Sequence, residues 1–211
     1  MRHDFSNKAV LIAAAMVVAL GQGPGAAQEA QLPAAGTYSL DPVHTFVYFV
    51  AKHVVVGRVR GRFVKTTGTI NVAKDPAACS VEASFEASSV DTQNVNRDKD
   101  LRSPNFFDAA QFPTITYRGR GIRRAGDGWV MDGSLTIRDV TKVVPLKFVF
   151  GGTAAAQTGK PMRVAFRATA ATKRAEFGMT KDLLEEIGIE SRDPDVWIEI
   201  EAEALASKDS Q

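Results

Sequence analysis

The sequence predicts an all-β, antiparallel fold, and three observations carry that expectation. Short stretches alternate apolar and polar residues one by one, the period of a half-buried strand. About eight such stretches occur, with no long amphipathic helix between them. Turn signals separate them: Asp75-Pro76, Gly126-Asp127-Gly128, Gly151-Gly152, Gly159-Lys160-Pro161 and Asp193-Pro194. Regularly spaced antiparallel strands point to a sandwich or an up-and-down barrel. Eight strands are about the number whose closed interior can hold one small ligand.

The candidates lie near 37–53, 56–72, 78–90, 112–124, 128–138, 143–151, 161–173 and 195–205. In the first, residues 46–51 are apolar on both faces, so alternation alone does not say which face points inward. The second sets Arg58, Arg60 and Arg62 against Val59, Gly61 and Phe63. The third sets Cys79, Val81, Ala83, Phe85 and Ala87 against serines and glutamates. The fourth ends in a basic cluster of Arg118, Arg120, Arg123 and Arg124. In the fifth, Trp129, Met131, Gly133, Leu135 and Ile137 share a face; in the sixth, Val144, Leu146, Phe148 and Phe150 do. The seventh places Met162, Val164, Phe166 and Ala168 opposite Arg163, Ala165, Arg167 and Thr169. The eighth places Val196, Ile198, Ile200, Ala202 and Ala204 opposite Trp197 and three glutamates. So many small inward residues leave two readings open: an apolar cavity, or a barrel core filled throughout.

Two connections are long. Residues 92–110 are polar and close on Phe106-Phe107, which predicts a short helix or two and an aromatic plug for one barrel end. Residues 178–193 carry Leu183, Leu184, Ile187 and Ile189 among acids, either a mouth loop or packing over the rim.

The first residues stand apart. Arg2 and Lys8 precede an apolar run over 9–20 that is too short to span a bilayer, and Gly25-Ala26-Ala27 suits a signal peptidase. Residues 1–27 are therefore expected to be a leader cleaved near Ala27, 28–36 a flexible start, 37–206 one barrel domain and 207–211 a tail. Without the leader, 24 basic and 23 acidic residues leave a net charge of +1. That excludes a strongly basic nucleic-acid binder on bulk charge. Cys79 is the one cysteine, so no internal disulfide can form, and its place on an apolar face predicts a buried, inert thiol.

Motifs for catalysis are sparse. Only His44 and His53 remain after the leader, and no cluster has zinc-site spacing. There is no nucleophile elbow and no phosphate loop. Asp41 and His44 read as a turn-capping pair before they read as a dyad, and His53 as a hydrogen-bonded strand end. The arginines at 58, 60 and 62, and the cluster at 118, 120, 123 and 124, read as a solvated outer face, with contact to a phosphate or polar lipid head at a barrel mouth as the alternative. No metal and no cofactor is expected.

An ordered set of strings adds to this. Tyr38-Ser-Leu-Asp-Pro-Val-His44, Phe49-Val-Ala-Lys-His53, Val59-Arg-Gly-Arg-Phe63, Ser89-Val-Asp-Thr92, Arg97-Asp98, Leu101-Arg-Ser103, Phe106-Phe-Asp108, Phe112-Pro113, Gly133-Ser-Leu-Thr-Ile-Arg-Asp-Val-Thr-Lys142 and Arg174-Ala-Glu-Phe-Gly178 follow one another along the chain. Together they resemble the YceI-like family of exported, lipocalin-like proteins that bind polyisoprenoids and related long-chain lipids. The resemblance spans Thr37 to about Leu205. It departs at Asp100, where the family often has His, at Asp139, where Gly is common, and at Val55 and Val56, where a smaller or more polar residue is usual.

The resemblance implies an eight-stranded antiparallel lipocalin-like barrel with a short helical segment in a long loop. It also implies non-covalent binding, transport or storage of a polyisoprenoid or similar lipid in the periplasm, an isoprenoid quinone included, without catalysis. With the alternation, it implies an apolar tunnel lined by Val47, Phe49, His53, Phe63, Val81, Ala83, Phe85, Tyr117, Leu135, Ile137, Leu146, Phe148, Phe166 and Ile198. The family pattern turns Val47, Phe49, Ala51 and His53 inward. Phe46, Tyr48 and Val50 then form an outward apolar stripe, either a homodimer surface or a patch covered by residues 92–110. A lipid ligand also implies transient membrane contact. An enzyme acting on such a lipid through Asp41, His44 or His53, and a protein-binding or inhibitory module, are the competing classes.

Overall fold

The computed structural model describes residues 31–53, 57–179 and 195–207. In chain order these form β1 (Gly36–Leu40), β2 (Phe46–His53), β3 (Gly57–Phe63), β4 (Thr66–Val72), β5 (Ser80–Glu86), β6 (Val90–Asp91), α1 (Val95–Arg102), β7 (Thr114–Arg120), β8 (Arg123–Ala125), β9 (Gly128–Ile137), β10 (Val140–Ala154), β11 (Arg163–Thr172) and β12 (Val196–Ala206). The expected leader and the Asp193-Pro194 turn lie outside these residues, as do Val55, Val56 and most of the 178–193 connection.

The twelve strands make a barrel of eight, because four of the barrel's strands are broken in two. β1 and β2 both pair with β12: Tyr38 opposes Ala206, and Val47 opposes Ile200. β4 pairs with β1 and β3 with β2, so these are arms of a second bent strand. β5 and β6 follow the same bend, pairing β4 and β3 respectively. β7 and β8 run one after the other along β9. Each strand pairs antiparallel with the next, and β1 on β12 closes the ring.

The breaks have local causes. Between β1 and β2, Pro42 has no amide to donate to a ladder. The Asp41 carboxylate accepts from the Val43 amide at 2.9 Å, and the His44 amide donates to the Asp41 carbonyl at 3.2 Å, which closes a turn. The candidates near 37–53, 56–72, 78–90 and 112–124 are thus corrected from continuous strands to bent pairs. Gly151-Gly152 is corrected too. It is no turn but a bulge inside β10, where the register on β11 shifts between Phe150 and Gly152 and Gly152 takes φ 132°.

The 92–110 connection holds one helix, α1. The Asn94 side chain caps its start by accepting from the Arg97 amide at 3.0 Å. Arg102 bolts it to the barrel, donating to the carbonyls of Ser88 and Val90, both at 2.7 Å.

Inward residues form two apolar clusters. One, around Val47, Phe85, Tyr117, Leu135 and Phe177, occupies the α1 end and the middle; the other, around Tyr38, Val72, Cys79 and Val164, packs the opposite end. Phe46, Tyr48 and Val50 do face outward. Phe46 stacks on Tyr48 at 6.2 Å between ring centroids, and the Arg60 guanidinium lies 4.6 Å from the Tyr48 ring centre. A cation from the neighbouring strand covers Tyr48, whereas Phe106 and Phe107 of the 92–110 connection turn to the barrel interior. Arg60 is held in turn by Glu199 at 2.8 Å.

Candidate functional site

The barrel interior is hollow. A cavity of about 690 Å³ runs from Leu32, Val72, Cys79 and Ile122 at one end to Lys52, His53 and Thr172 at the other. That volume lies within the range of pockets that hold drug-sized or larger organic molecules. Two features of the sequence keep it open. The lining alternates small residues such as Ala83, Ala168 and Ala202 with large ones. Several large side chains also lie flat along the wall, over glycines. A Cβ on Gly133 would stand 2.3 Å from Cζ of Tyr117, and one on Gly119 would stand 2.3 Å from Sδ of Met131. Only a glycine admits such a neighbour.

All fourteen residues named from the sequence sit on the cavity wall. Val47, Phe49, Ala83, Phe85, Tyr117, Leu135, Ile137 and Phe166 are buried. Phe49, Phe63 and Phe85 form an aromatic run, with Phe63 5.7 Å from Phe49 and 6.2 Å from Phe85. Phe107 joins it edge-on, 5.5 Å from Phe63, so the residues after α1 contribute to the lumen. His53 lies at the rim and is exposed. Tyr117 is the deep polar group. Its hydroxyl donates toward the carbonyls of Met131 and Val144, at 3.2 and 3.1 Å, and burial pushes its pKa up to about 12.

The sequence reading did not place Asn96, Arg97 and Asp100 of α1, Thr66, Thr172 or Arg174 on the tunnel wall, and all of them line the cavity. Thr172 was within reach, because it continues the inward alternation of Phe166, Ala168 and Ala170. The α1 residues were not, since a period of two says nothing about a helix packed across a barrel end.

Charge around the mouth is only partly paired among the described residues. Arg174 donates to Asp195 at 2.6 Å, both being largely buried. Arg97 donates through Nε to Thr92 Oγ1 at 2.7 Å and through Nη2 to the Thr92 carbonyl at 2.8 Å. The same Thr92 hydroxyl donates to the buried Asp98 at 2.6 Å. Lys52 packs over Trp197 on the outer wall, 5.7 Å from the ring centre. Asp100 has no ion-pair partner among the described residues. Two hydroxyls on the wall, those of Thr66 and Thr172, are buried without a hydrogen-bond partner.

The Asp41–His44 pair is a structural clamp. His44 Nδ1 lies 2.9 Å from the Asp41 carboxylate, and Arg163 reaches Asp41 at 2.6 Å and Glu203 at 2.5 Å. Burial alone raises the Asp41 pKa. Hydrogen bonds from His44, the Val43 amide and Arg163, with the Arg163 charge, outweigh it and hold the carboxyl at about 2. Asp41, His44 and Glu203 bring three ligand atoms within 4.8 Å, but Arg163 already places its guanidinium against both carboxylates.

A model of the YceI-like domain matches residues 38–204. The chain belongs to the YceI-like family. Protein YceI of Salmonella newport is 34% identical over 152 residues, covering 71% of this chain and 79% of that one. The crystal structure of the Campylobacter jejuni YceI protein superposes with a TM-score of 0.62 at 26% identity, covering 74% of this chain and 90% of its own. A polyisoprenoid binding domain from Saccharophagus degradans, implicated in plant cell wall breakdown, superposes with a TM-score of 0.61 over 81% of this chain and 98% of its own. At 17% identity that last likeness shows the fold alone. The closed eight-stranded lipocalin-like barrel with one short helix is the fold of this family.

Proposed function

We propose that this protein binds a polyisoprenoid or similar long-chain lipid non-covalently, for transport or storage, and does no chemistry on it. The hollow apolar lumen carries this reading. Each methylene moved from water into such a lumen gains about 0.8 kcal/mol, so a long tail and a dry tube suit each other. An isoprenoid quinone belongs to the same ligand class. The Saccharophagus domain and the family are consistent with it. We place the protein in the periplasm, after cleavage near Ala27, on the pattern of its first residues.

Mass spectrometry of an organic extract of the purified protein tests the proposal directly. A long-chain lipid near one per chain is the expected result. Replacing Ala83, which is buried on the lumen wall, with Trp should fill the tube and abolish lipid uptake while the barrel stays folded. A folded Ala83→Trp variant with unchanged lipid content would overturn the reading.

Self-association is a second element of the proposal. Phe46 is 37% exposed and stacks on Tyr48, which favours a two-fold contact on this wall. Light scattering of the wild type and of Tyr48→Glu decides it. A dimer that becomes a folded monomer supports the contact, and a wild type that is monomeric at high concentration removes it.

A further inference from the structure

The outer wall of β3 carries a row of arginines, and their pairing stops at the mouth. Arg62 is held by Asp91 at 3.3 Å and Arg60 by Glu199 at 2.8 Å. Arg58, the next outward residue, is exposed and has no carboxylate partner among the described residues. Directly opposite it on β2 stands Lys52, which has none either. Like charges set opposite each other across two strands are destabilising. Asp195, the residue before β12, does not relieve them, because Arg174 engages it at 2.6 Å.

Both cations rest on one aromatic. Lys52 Nζ lies 5.7 Å and the Arg58 guanidinium 4.9 Å from the ring centre of Trp197, which is half-buried. An indole flanked by Lys and Arg is the residue set that settles at a bilayer surface, the ring among the head groups and the cations against lipid phosphates. The patch also adjoins the lumen, since Lys52 lines the cavity, as do His53 and Val196 beside it. An apolar tail in open water is strongly disfavoured, so a mouth that exchanges one with a membrane gains by touching it.

We infer that Lys52, Arg58 and Trp197 form a face that docks the mouth onto an anionic phospholipid bilayer. Its part in cargo transfer rests on the lipid-binding reading; the docking face itself does not. Phe46 and Tyr48, the proposed self-association contact, lie farther from the mouth along β2.

Co-sedimentation with vesicles tests the inference, using equimolar phosphatidylglycerol and phosphatidylcholine against phosphatidylcholine alone. Only the anionic vesicles should bind the protein, and less tightly as salt rises. Lys52→Glu sets an acid opposite Arg58, so the barrel should be at least as stable while vesicle affinity falls about tenfold or more. Lys52→Ser/Arg58→Ser should lose affinity as well. Arg120→Glu/Arg123→Glu, at the other end of the lumen, should bind as the wild type does. Bromine-labelled phospholipid should quench wild-type tryptophan emission but not that of Trp197→Phe, whose remaining Trp129 is buried. Unchanged affinity in a folded Lys52→Glu variant, or an equal loss in Arg120→Glu/Arg123→Glu, would overturn the inference. So would a changed oligomeric state in Lys52→Glu with vesicle binding intact, which would assign the face to a second copy. Mass spectrometry of the extracted protein reads the lumen separately. A protein that ignores vesicles yet carries lipid removes the docking face and leaves the lipid reading; one that docks but never carries lipid does the reverse.

Discussion

The ring of Phe49 lies across Gly61, the residue directly opposite it on β3, so closely that a Cβ at Gly61 would stand 2.4 Å from Cζ of the ring. Phe49 thus lies along the wall and not across the tube. Gly61→Ala should drive the ring into the lumen, at a cost of about 1–3 kcal/mol. Denaturant unfolding should show that loss, and lipid capacity should fall with it. In the double variant Phe49→Leu/Gly61→Ala the two penalties should be clearly less than additive. Full additivity would mean the ring does not depend on the glycine.

Arg163 is set between Asp41 and Glu203, and it holds the turn between β1 and β2 to β11 and β12. Arg163→Ala leaves the buried Asp41 carboxylate short of a partner and should cost about 2 kcal/mol. Thermal or urea unfolding at neutral pH measures it.

The same clamp sets an acid dependence. Asp41 titrates at about 2 in the folded chain against an ordinary value of 3.8, so folding favours its ionised form. Its contribution is complete above about pH 4 and is lost as pH falls toward 2. Melting temperature should drop over that window, and Asp41→Asn should flatten the drop. An identical acid profile in Asp41→Asn would rule out this source.

Cys79 is 4% exposed, and its thiol lies within 3.6 Å of the Ala73 carbonyl and 3.3 Å of the Ala73 amide. Alkylation by iodoacetamide at neutral pH should be slower than for free cysteine by about a hundredfold or more, and should become fast in urea. Because Cys79 also lines the lumen, a bound lipid should slow a small apolar reagent further.

Removing the α1 bolt should loosen the mouth without opening the barrel. Arg102→Ala deletes two hydrogen bonds to strand carbonyls, worth about 1–3 kcal/mol together. Hydrogen exchange should rise in Val95–Arg102 and stay unchanged in β9–β12. A uniform rise across the barrel would show that α1 supports the fold as a whole.

Alternation made the barrel legible because a strand with one dry and one wet face writes its period into the sequence. Val81, Ala83 and Phe85 are inward for that reason alone. The bends were not legible. Asp41 and His44 read as a turn-capping pair, but only the partners Arg163 and Glu203, more than a hundred residues away, show what that pair fastens. Gly151-Gly152 misled because a bulge and a turn use glycine for the same backbone freedom. The polar mouth was missed because it is assembled by α1, β11 and the start of β12, and no spacing within one segment encodes that meeting.

β1 closes the ring against β12, so the first and last strands of the fold complete each other: Tyr38 faces Ala206. Without β12, which pairs with β11 on one side and with β1 and β2 on the other, the barrel would be an open sheet with two unpaired borders. The container does not exist in part. Its wall closes when the last strand of the fold meets the first. Any occupant must either be enclosed at that moment or pass afterward through an end of the barrel. Such long-range closure is slow by nature, and the interval before it is when this chain is most open to wrong partners.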